Sequence, residues 1–241
     1  MDLGIEGRVA LVAAGSRGLG RATAEALARE GVRIMLSARD AAGLDEARES
    51  LRASGAKVES RVADITDRAA PAMLVQATLE AFGSVDIVIA NAGGPPAGRA
   101  LDLDDAAIEG ALNANLLASV RLARASVPEM RQRGWGRICC ITSYSVVQPV
   151  PTLALSNTAR AGLWAWAKTA AQDLAHEASG ITLNLLCPGP HATDRMRELG
   201  GSGVMGDPAD FGSVVAFLCS KQAGFVNGAA LVVDGGATLA L

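Results

Sequence analysis

The sequence predicts an α/β fold, a doubly wound parallel sheet in one domain, and three observations carry that expectation. Short apolar runs alternate with longer amphipathic stripes along the whole chain, the β-α-β-α order that sets parallel strands between layers of helix. Most strand-like runs are apolar at consecutive positions, as strands covered on both faces must be. No linker or repeat interrupts the alternation, so residues 1–241 read as one domain. Half the residues are apolar but only 3% are aromatic. The core must therefore be built from Ala, Val, Leu and Ile.

The elements follow in order. Arg8–Ala13 reads as a buried strand, and Leu19, Ala22, Thr23, Ala26 and Leu27 mark one face of the helix after it. Gly31 stands where that helix should end. Ile34–Ser37 is the second strand. Asp40 reads as the cap of a helix over Ala41–Ser54. Val58–Ala63, a helix over Ala69–Phe82, and the strand Asp86–Ala90 come next. One long helix is expected from Asp104 to about Gln132, with Gly134 closing it. Arg137–Thr142 is a strand, Leu155–Ala178 a second long helix, and Thr182–Cys187 a strand. Pro208–Ser220 is a helix and Leu231–Val233 the last strand. The irregular segments Gly93–Leu103, Tyr144–Thr152 and Pro188–Asp207 each follow a strand's C-terminal end, the edge where open α/β sheets bind ligands.

Composition narrows the partners. The formal charge is −3 and no stretch is strongly basic, which argues against a nucleic-acid or anionic-membrane surface. No apolar run approaches bilayer-spanning length, and the N-terminus lacks a signal-peptide layout. Cys139, Cys140, Cys187 and Cys219 show no CxxC spacing, so buried reduced thiols and a cytoplasmic location are expected. His176 and His191 share no ligand-like spacing with them, and no metal is expected.

The chemistry begins at Val12-Ala13-Ala14-Gly15-Ser16-Arg17-Gly18-Leu19-Gly20, between a strand and a helix. Glycines there let the backbone approach a pyrophosphate, and the helix N-terminus offers free N–H groups and a positive dipole end. A tight turn without a ligand is the plainer alternative. The strand before and helix after favour a dinucleotide site, as in a Rossmann fold. Cofactor subtype is read about 20 residues on, at the end of the second strand. Ser37-Ala38-Arg39 stands there instead of an acidic residue. Arg39, with Arg17 in the turn, suits a 2′-phosphate and so NADP(H) over NAD(H). Arg39 as an ordinary surface charge is the competing reading.

These features resemble the short-chain dehydrogenase/reductase family over essentially the whole chain. The glycine turn is similar to that family's Thr-Gly-x-x-x-Gly-x-Gly motif, with Ala13 and Ala14 in place of the leading Thr and Gly. By the resemblance, Asp64-Ile65 contacts adenine, Asn91-Ala92-Gly93 is the turn after the fourth strand, and Asn115 organises a proton-relay water. Ser143 matches the catalytic serine. Asn184, Pro188-Gly189 and Thr193 match the block that cradles the nicotinamide, and Asp234-Gly235-Gly236 the C-terminal turn. Among family members the chain is similar to 3-oxoacyl-carrier-protein reductase-like proteins.

The departure lies at the chemistry. The family's tyrosine falls 13 positions after the serine and its lysine four further on; here Ser156 and Arg160 stand there. Ala161-Gly162 still aligns, so the register holds, and the one tyrosine, Tyr144, sits beside Ser143. A serine hydroxyl is a weaker acid and a shorter arm than a phenol, whose reference pKa is about 10. Arg160 stays charged and can donate to ribose hydroxyls. Spaced four apart on a helix, Ser156 and Arg160 share a face. Ser156 donating through water, held by Asn115 and Ser143, is one candidate proton route. His191 is another, since imidazole titrates near neutrality; a solvent-facing loop histidine is the bland alternative. Tyr144 is a third. His176 near a helix end is read as meeting the helix dipole.

Thr193 and Asp207 are only 14 positions apart, and Gly200-Gly201-Ser202-Gly203 lies between them, which predicts a short, open or mobile lid. Family members pair through the two long helices, which implies a homodimer or homotetramer. Trp166 continues the stripe of Leu155, Ala159, Gly162, Leu163 and Ala170 and reads as buried. Trp164 reads as facing a partner or the pocket, or as a second core residue. The leading functional expectation is an NADP(H)-dependent reductase or dehydrogenase for a small-molecule ketone or secondary alcohol, with an altered proton donor. A non-redox isomerase, dehydratase or cyclase on the same frame, and an inactive NADP(H)-binding paralogue, are the alternatives.

Overall fold

A computed structural model describes residues 1–200 and 203–239. Among the described residues, seven strands form one sheet in the order β3-β2-β1-β4-β5-β6-β7, every neighbouring pair parallel. The strands are β1 (Val9–Ala13), β2 (Arg33–Ala38), β3 (Val58–Val62), β4 (Ile87–Ala90), β5 (Gly136–Ile141), β6 (Ile181–Pro188) and β7 (Ala230–Val233). Strands β1, β4, β5 and β6 are buried along their whole length, because helices cover both faces. β3 is different: it lies at the edge, and Glu59, Ser60, Arg61 and Val62 are not buried. Polar residues on an exposed edge strand discourage pairing with another chain.

Two apolar layers sit on the two faces. Helix α1 (Gly18–Arg29), α2 (Ala41–Ala53) and α8 (Pro208–Leu218) pack on one, around Leu27, Leu36, Ile89 and Phe211. Helix α3 (Ala70–Phe82), α5 (Ala118–Arg133) and α6 (Ala154–His176) pack on the other, around Leu74, Val88, Leu122 and Leu163. α1 begins after a turn with no side-chain cap, which leaves N–H groups free. Asp40 does cap α2, accepting from the Gly43 N–H at 3.2 Å. At the opposite edge the buried Asp86 carboxylate takes the Val9 N–H (2.9 Å), the Ser84 hydroxyl (3.1 Å) and the Arg8 guanidinium (3.2 Å). That set satisfies a charge that would otherwise oppose folding.

Three expectations change. The predicted long helix is broken: α4 (Asp105–Leu112) runs into a π-helical turn over Asn113–Leu117 before α5 continues. The wider turn brings Asn115 inward, where it is buried. The short lid is not wholly irregular: α7 (Asp194–Glu198) forms in it, capped by Thr193. Gly201 and Ser202, half of the predicted flexible run, lie outside the described residues. Trp166, expected to be buried, is half-buried like Trp164, both packed at the rim of the α6 layer.

Candidate active site

The order of strands reverses between β1 and β4, and the C-terminal ends of those strands form the crevice expected to take a ligand. Gly15 is tied there by its N–H to the Ser37 carbonyl at 3.0 Å. Gly18 takes a positive φ of 58° that a side chain would oppose. At Gly20 a Cβ would stand 2.3 Å from the Ala14 carbonyl oxygen and 2.7 Å from the Asn91 amide nitrogen. Only a bare backbone fits where the three meet. The Asn91 amide itself donates to the Ala14 carbonyl at 3.4 Å, tying the end of β4 to the turn. Ala14, where the family motif carries glycine, holds a φ of 48°, a left-handed conformation that costs an alanine about 1 kcal/mol.

Other predicted cofactor residues gather around this turn. Ser16 and Leu19 flank it half-buried, and Arg17 is exposed at its tip. Thr193, from the far side, reaches to 3.8 Å of where a Gly18 Cβ would be. Arg39 is exposed at the end of β2, with its guanidinium 3.8 Å from the Asp64 carboxylate. The Thr66 N–H (2.9 Å) and hydroxyl (2.7 Å) bind that carboxylate, and they lead in holding its pKa below the usual 3.8. Ile65, Asn91 and Ala92 are half-buried and Gly93 is exposed along the same edge. Pro188 closes β6, and the Gly189 N–H donates to the Val233 carbonyl at 2.9 Å. Asn184 does not reach the crevice. It bonds the Val226 carbonyl (2.8 Å) and the Ala229 N–H (3.0 Å) and so fixes the loop before β7.

Asn115 lies in the π turn before α5, Ser143 follows β5, and Ser156 and Arg160 stand in the first two turns of α6. Ser143 caps a 3-10 turn over Tyr144–Val146, its Oγ accepting the Ser145 N–H at 3.1 Å. Among the described residues its own hydroxyl proton has no acceptor. Tyr144 is half-buried on that turn. Ser156 is buried one helical turn before Arg160 and makes no hydrogen bond among the described residues. Arg160 is buried and turned inward. Its guanidinium donates to the Thr142 carbonyl and, at 3.1 Å, to Asn115 Oδ1. No carboxylate pairs with it among the described residues, and its buried Nε has no partner. Burial pulls its pKa down to about 10, and Arg195 adds to the fall.

His191 is not a loop histidine facing solvent. Its ring is buried, with Nδ1 3.0 Å from the Gly189 carbonyl oxygen and its centroid 5.3 Å from that of the Phe211 ring in α8, in a T-shaped arrangement. The local pairing of His191 with Gly206 turns the side chain beneath the lid. This environment suits packing more than proton delivery.

Residues without a sequence signal complete the site. Thr142 matters only through its backbone carbonyl, which no motif records. Arg195 on α7 donates to the Pro95 carbonyl at 2.8 Å and so latches the lid to the Gly93–Gly98 segment. Asn113 bonds the Thr66 carbonyl (3.0 Å) and accepts from Arg121 (2.7 Å), joining the π turn to the loop after β3. The bare cradle at Gly18 and Gly20, the helix start and the two flanking arginines fit a dinucleotide with a 2′-phosphate.

Comparison with known proteins agrees with this geometry. A family model described as enoyl-(acyl carrier protein) reductase matches residues 13–238. The chain is 31% identical to dehydrogenase/reductase SDR family member 4 of Bos taurus, over 96% of this chain and 88% of that protein. It is 31% identical to a (2S)-[(R)-hydroxy(phenyl)methyl]succinyl-CoA dehydrogenase subunit of Thauera aromatica, over 98% and 99%. L-sorbose reductase from Gluconobacter frateurii, solved with NADPH and L-sorbose, superposes with a TM-score of 0.93 at 30% identity over both full chains. With the sheet order, the glycine cradle and these matches in agreement, the chain belongs to the short-chain dehydrogenase/reductase family.

Proposed function

We propose that this chain is an NADP(H)-dependent oxidoreductase interconverting a ketone and a secondary alcohol, with a proton route that does not use a helix tyrosine. The observation that carries the reading is the cradle where Gly18, Gly20, Ala14, Asn91 and Thr193 converge, with Arg17 and Arg39 at its open side. NADPH in the solved L-sorbose reductase and in an actinorhodin polyketide ketoreductase supports the cofactor assignment. Arg39 favours NADP(H) over NAD(H), because a guanidinium pairs with a phosphate better than with a hydroxyl.

The bound nicotinamide would supply the hydride. The Ser143 hydroxyl, accepting from the Ser145 N–H, keeps its own proton for a substrate oxygen. Ser156 adds a second hydroxyl, and water must relay the proton because neither serine is acidic enough to release it readily. Arg160 acts by position, holding Asn115 and the end of β5. The test is NADPH oxidation by the pure protein with β-keto thioesters, cyclic ketones and quinones. Ketone-dependent oxidation above background is expected; tight NADPH binding with no oxidation by any ketone overturns the redox reading.

One observation favours a second reading. Arg160 is bonded inward and the phenol is missing, so the frame can bind NADP(H) without reducing anything. A non-redox isomerase, dehydratase or cyclase would form product with no NADPH consumed, and an inactive paralogue would form none. Assembly as a homodimer or homotetramer through the outer faces of α5 and α6 goes with either reading. Light scattering of the purified protein checks it, and a monomer at micromolar concentration rejects it. Four buried free cysteines are consistent with a reducing, cytoplasmic setting.

A further inference from the structure

One well-formed cavity among the described residues is not at the cofactor edge. It lies at the other end of the sheet, between the last turns of α6, the start of β6 and the loop before β7, with a volume of about 430 Å³. That is within the range of small-molecule sites. One part of its wall is apolar, from Leu174, Ala175, Ala178, Ile181 and Phe225. Phe225 is fully exposed. The polar part carries positive charge with nothing to balance it. Lys168 lines the cavity, and its ammonium lies against Gly228, where a Cβ would stand 3.3 Å from Nζ. It has no ion-pair partner among the described residues, and no carboxylate lines the cavity.

Behind the wall lies a second cation. Arg137 is buried, and its guanidinium donates to the carbonyls of Ser220 (3.1 Å), Gly136 (2.8 Å) and Gly180 (3.2 Å). Its remaining nitrogen, Nη2, approaches Gly224, where a Cβ would stand 3.3 Å away. Gly180 and Gly224 both line the cavity. No carboxylate pairs with Arg137 among the described residues. A buried charge of this kind is normally compensated. Thr182, the register partner of Arg137 on β6, also lines the cavity, and its buried Oγ1 has no hydrogen-bond partner among the described residues. Buried hydroxyls without partners are uncommon and call for an explanation. The negative end of the α6 dipole is no obstacle, because its last carbonyls are occupied. The Ser179 N–H and hydroxyl both donate to Leu174, and the Ala178 N–H donates to Ala175.

We propose that this cavity is a second ligand site, separate from the cofactor crevice, for a small organic carboxylate with a short apolar body. The carboxylate would meet Lys168 and the Thr182 hydroxyl, within the field of Arg137, and the apolar body would lie along Ile181, Leu174 and Phe225. Charge complementarity selects the anion, and the apolar wall excludes a bare inorganic one as the preferred occupant.

Titration of the full chain with sodium octanoate by calorimetry tests the proposal, with octanamide as the neutral analogue. Saturable one-site binding is expected, with octanamide at least about tenfold weaker. Lys168→Ala and Thr182→Val should each weaken octanoate binding by about tenfold or more. Lys168 is exposed, and Thr182→Val keeps the side-chain shape while removing the unpaired hydroxyl, so both variants should fold with an unchanged or higher Tm. No saturation by about 10 mM octanoate, a loss too weak for a formed site, overturns the proposal. So does unchanged affinity in either variant, or competition between octanoate and NADPH, which would put the anion in the cofactor crevice.

Discussion

Replacing Arg160 by methionine tests whether that cation stabilises the fold or strains it. Burial lowers its pKa from the ordinary guanidinium range to about 10, which corresponds to about 3 kcal/mol lost on keeping the charge at neutral pH. Against this stand the hydrogen bonds to the Thr142 carbonyl and Asn115 Oδ1, each worth about 1.5–3 kcal/mol when the donor is charged. The two sides nearly cancel. Methionine fills similar space without the charge but leaves two acceptors without a donor. The expected loss is about 1–2 kcal/mol by urea unfolding with an unchanged m-value, or about 2–8 °C in Tm. Removing one member of a buried ion pair would instead cost about 3–5 kcal/mol. A loss above about 4 kcal/mol would therefore reveal an anionic partner for Arg160 and refute the reasoning. The pH dependence has a definite sign. From about pH 10 up to the ordinary guanidinium range, the unfolded chain holds the Arg160 proton more tightly than the folded one. The wild type should thus gain relative to the variant as pH rises into that window, with no difference in slope at neutral pH.

Four further outcomes are expected. Ser156→Tyr combined with Arg160→Lys should raise ketone-dependent NADPH oxidation by about 100-fold or more, since general acid catalysis contributes that much; an unchanged rate would locate the limit elsewhere. Gly20→Ala sets a Cβ 2.3 Å from the Ala14 carbonyl, so NADPH titration should show affinity reduced by at least about tenfold, and normal binding would mean that the turn yields freely. Arg39→Ala should weaken NADPH by about tenfold or more and leave NADH within about twofold, as read by cofactor fluorescence; equal losses for both would remove Arg39 from 2′-phosphate recognition. Asp64→Asn bears on acid stability. Its folded pKa lies below the usual 3.8 because Thr66 bonds the charged form. Its contribution is therefore present above the unfolded pKa and is lost as pH falls through the folded one, so the variant should show a shallower stability loss below about pH 4.

Periodicity and turn chemistry were enough for the sheet. Continuous apolar runs at Val9–Ala13 and Ile87–Ala90 can only be strands covered on both faces, and the glycine turn between β1 and α1 marks where the chain must approach a ligand closely. The substitution of Ser156 and Arg160 at two positions of one helix face was equally legible, because i and i+4 spacing does not depend on the rest of the fold. The π turn was not legible. Asn113–Leu117 has ordinary helical composition, and the turn is seen only in the fold, where it lies against α6.

What the sequence determined by itself is therefore the local and periodic part: strands, helix faces, the phosphate turn, and the absence of a phenol at its usual place. The tertiary structure decided where the long side chains point. His191 and Arg160 both looked available from the sequence. The pairing of His191 with Gly206 turned one onto Phe211, and the Thr142 carbonyl with Asn115 drew the other inward. Such choices depend on backbone carbonyls and ring edges brought together from distant parts of the chain. A buried donor takes the nearest acceptor, whatever residue carries it.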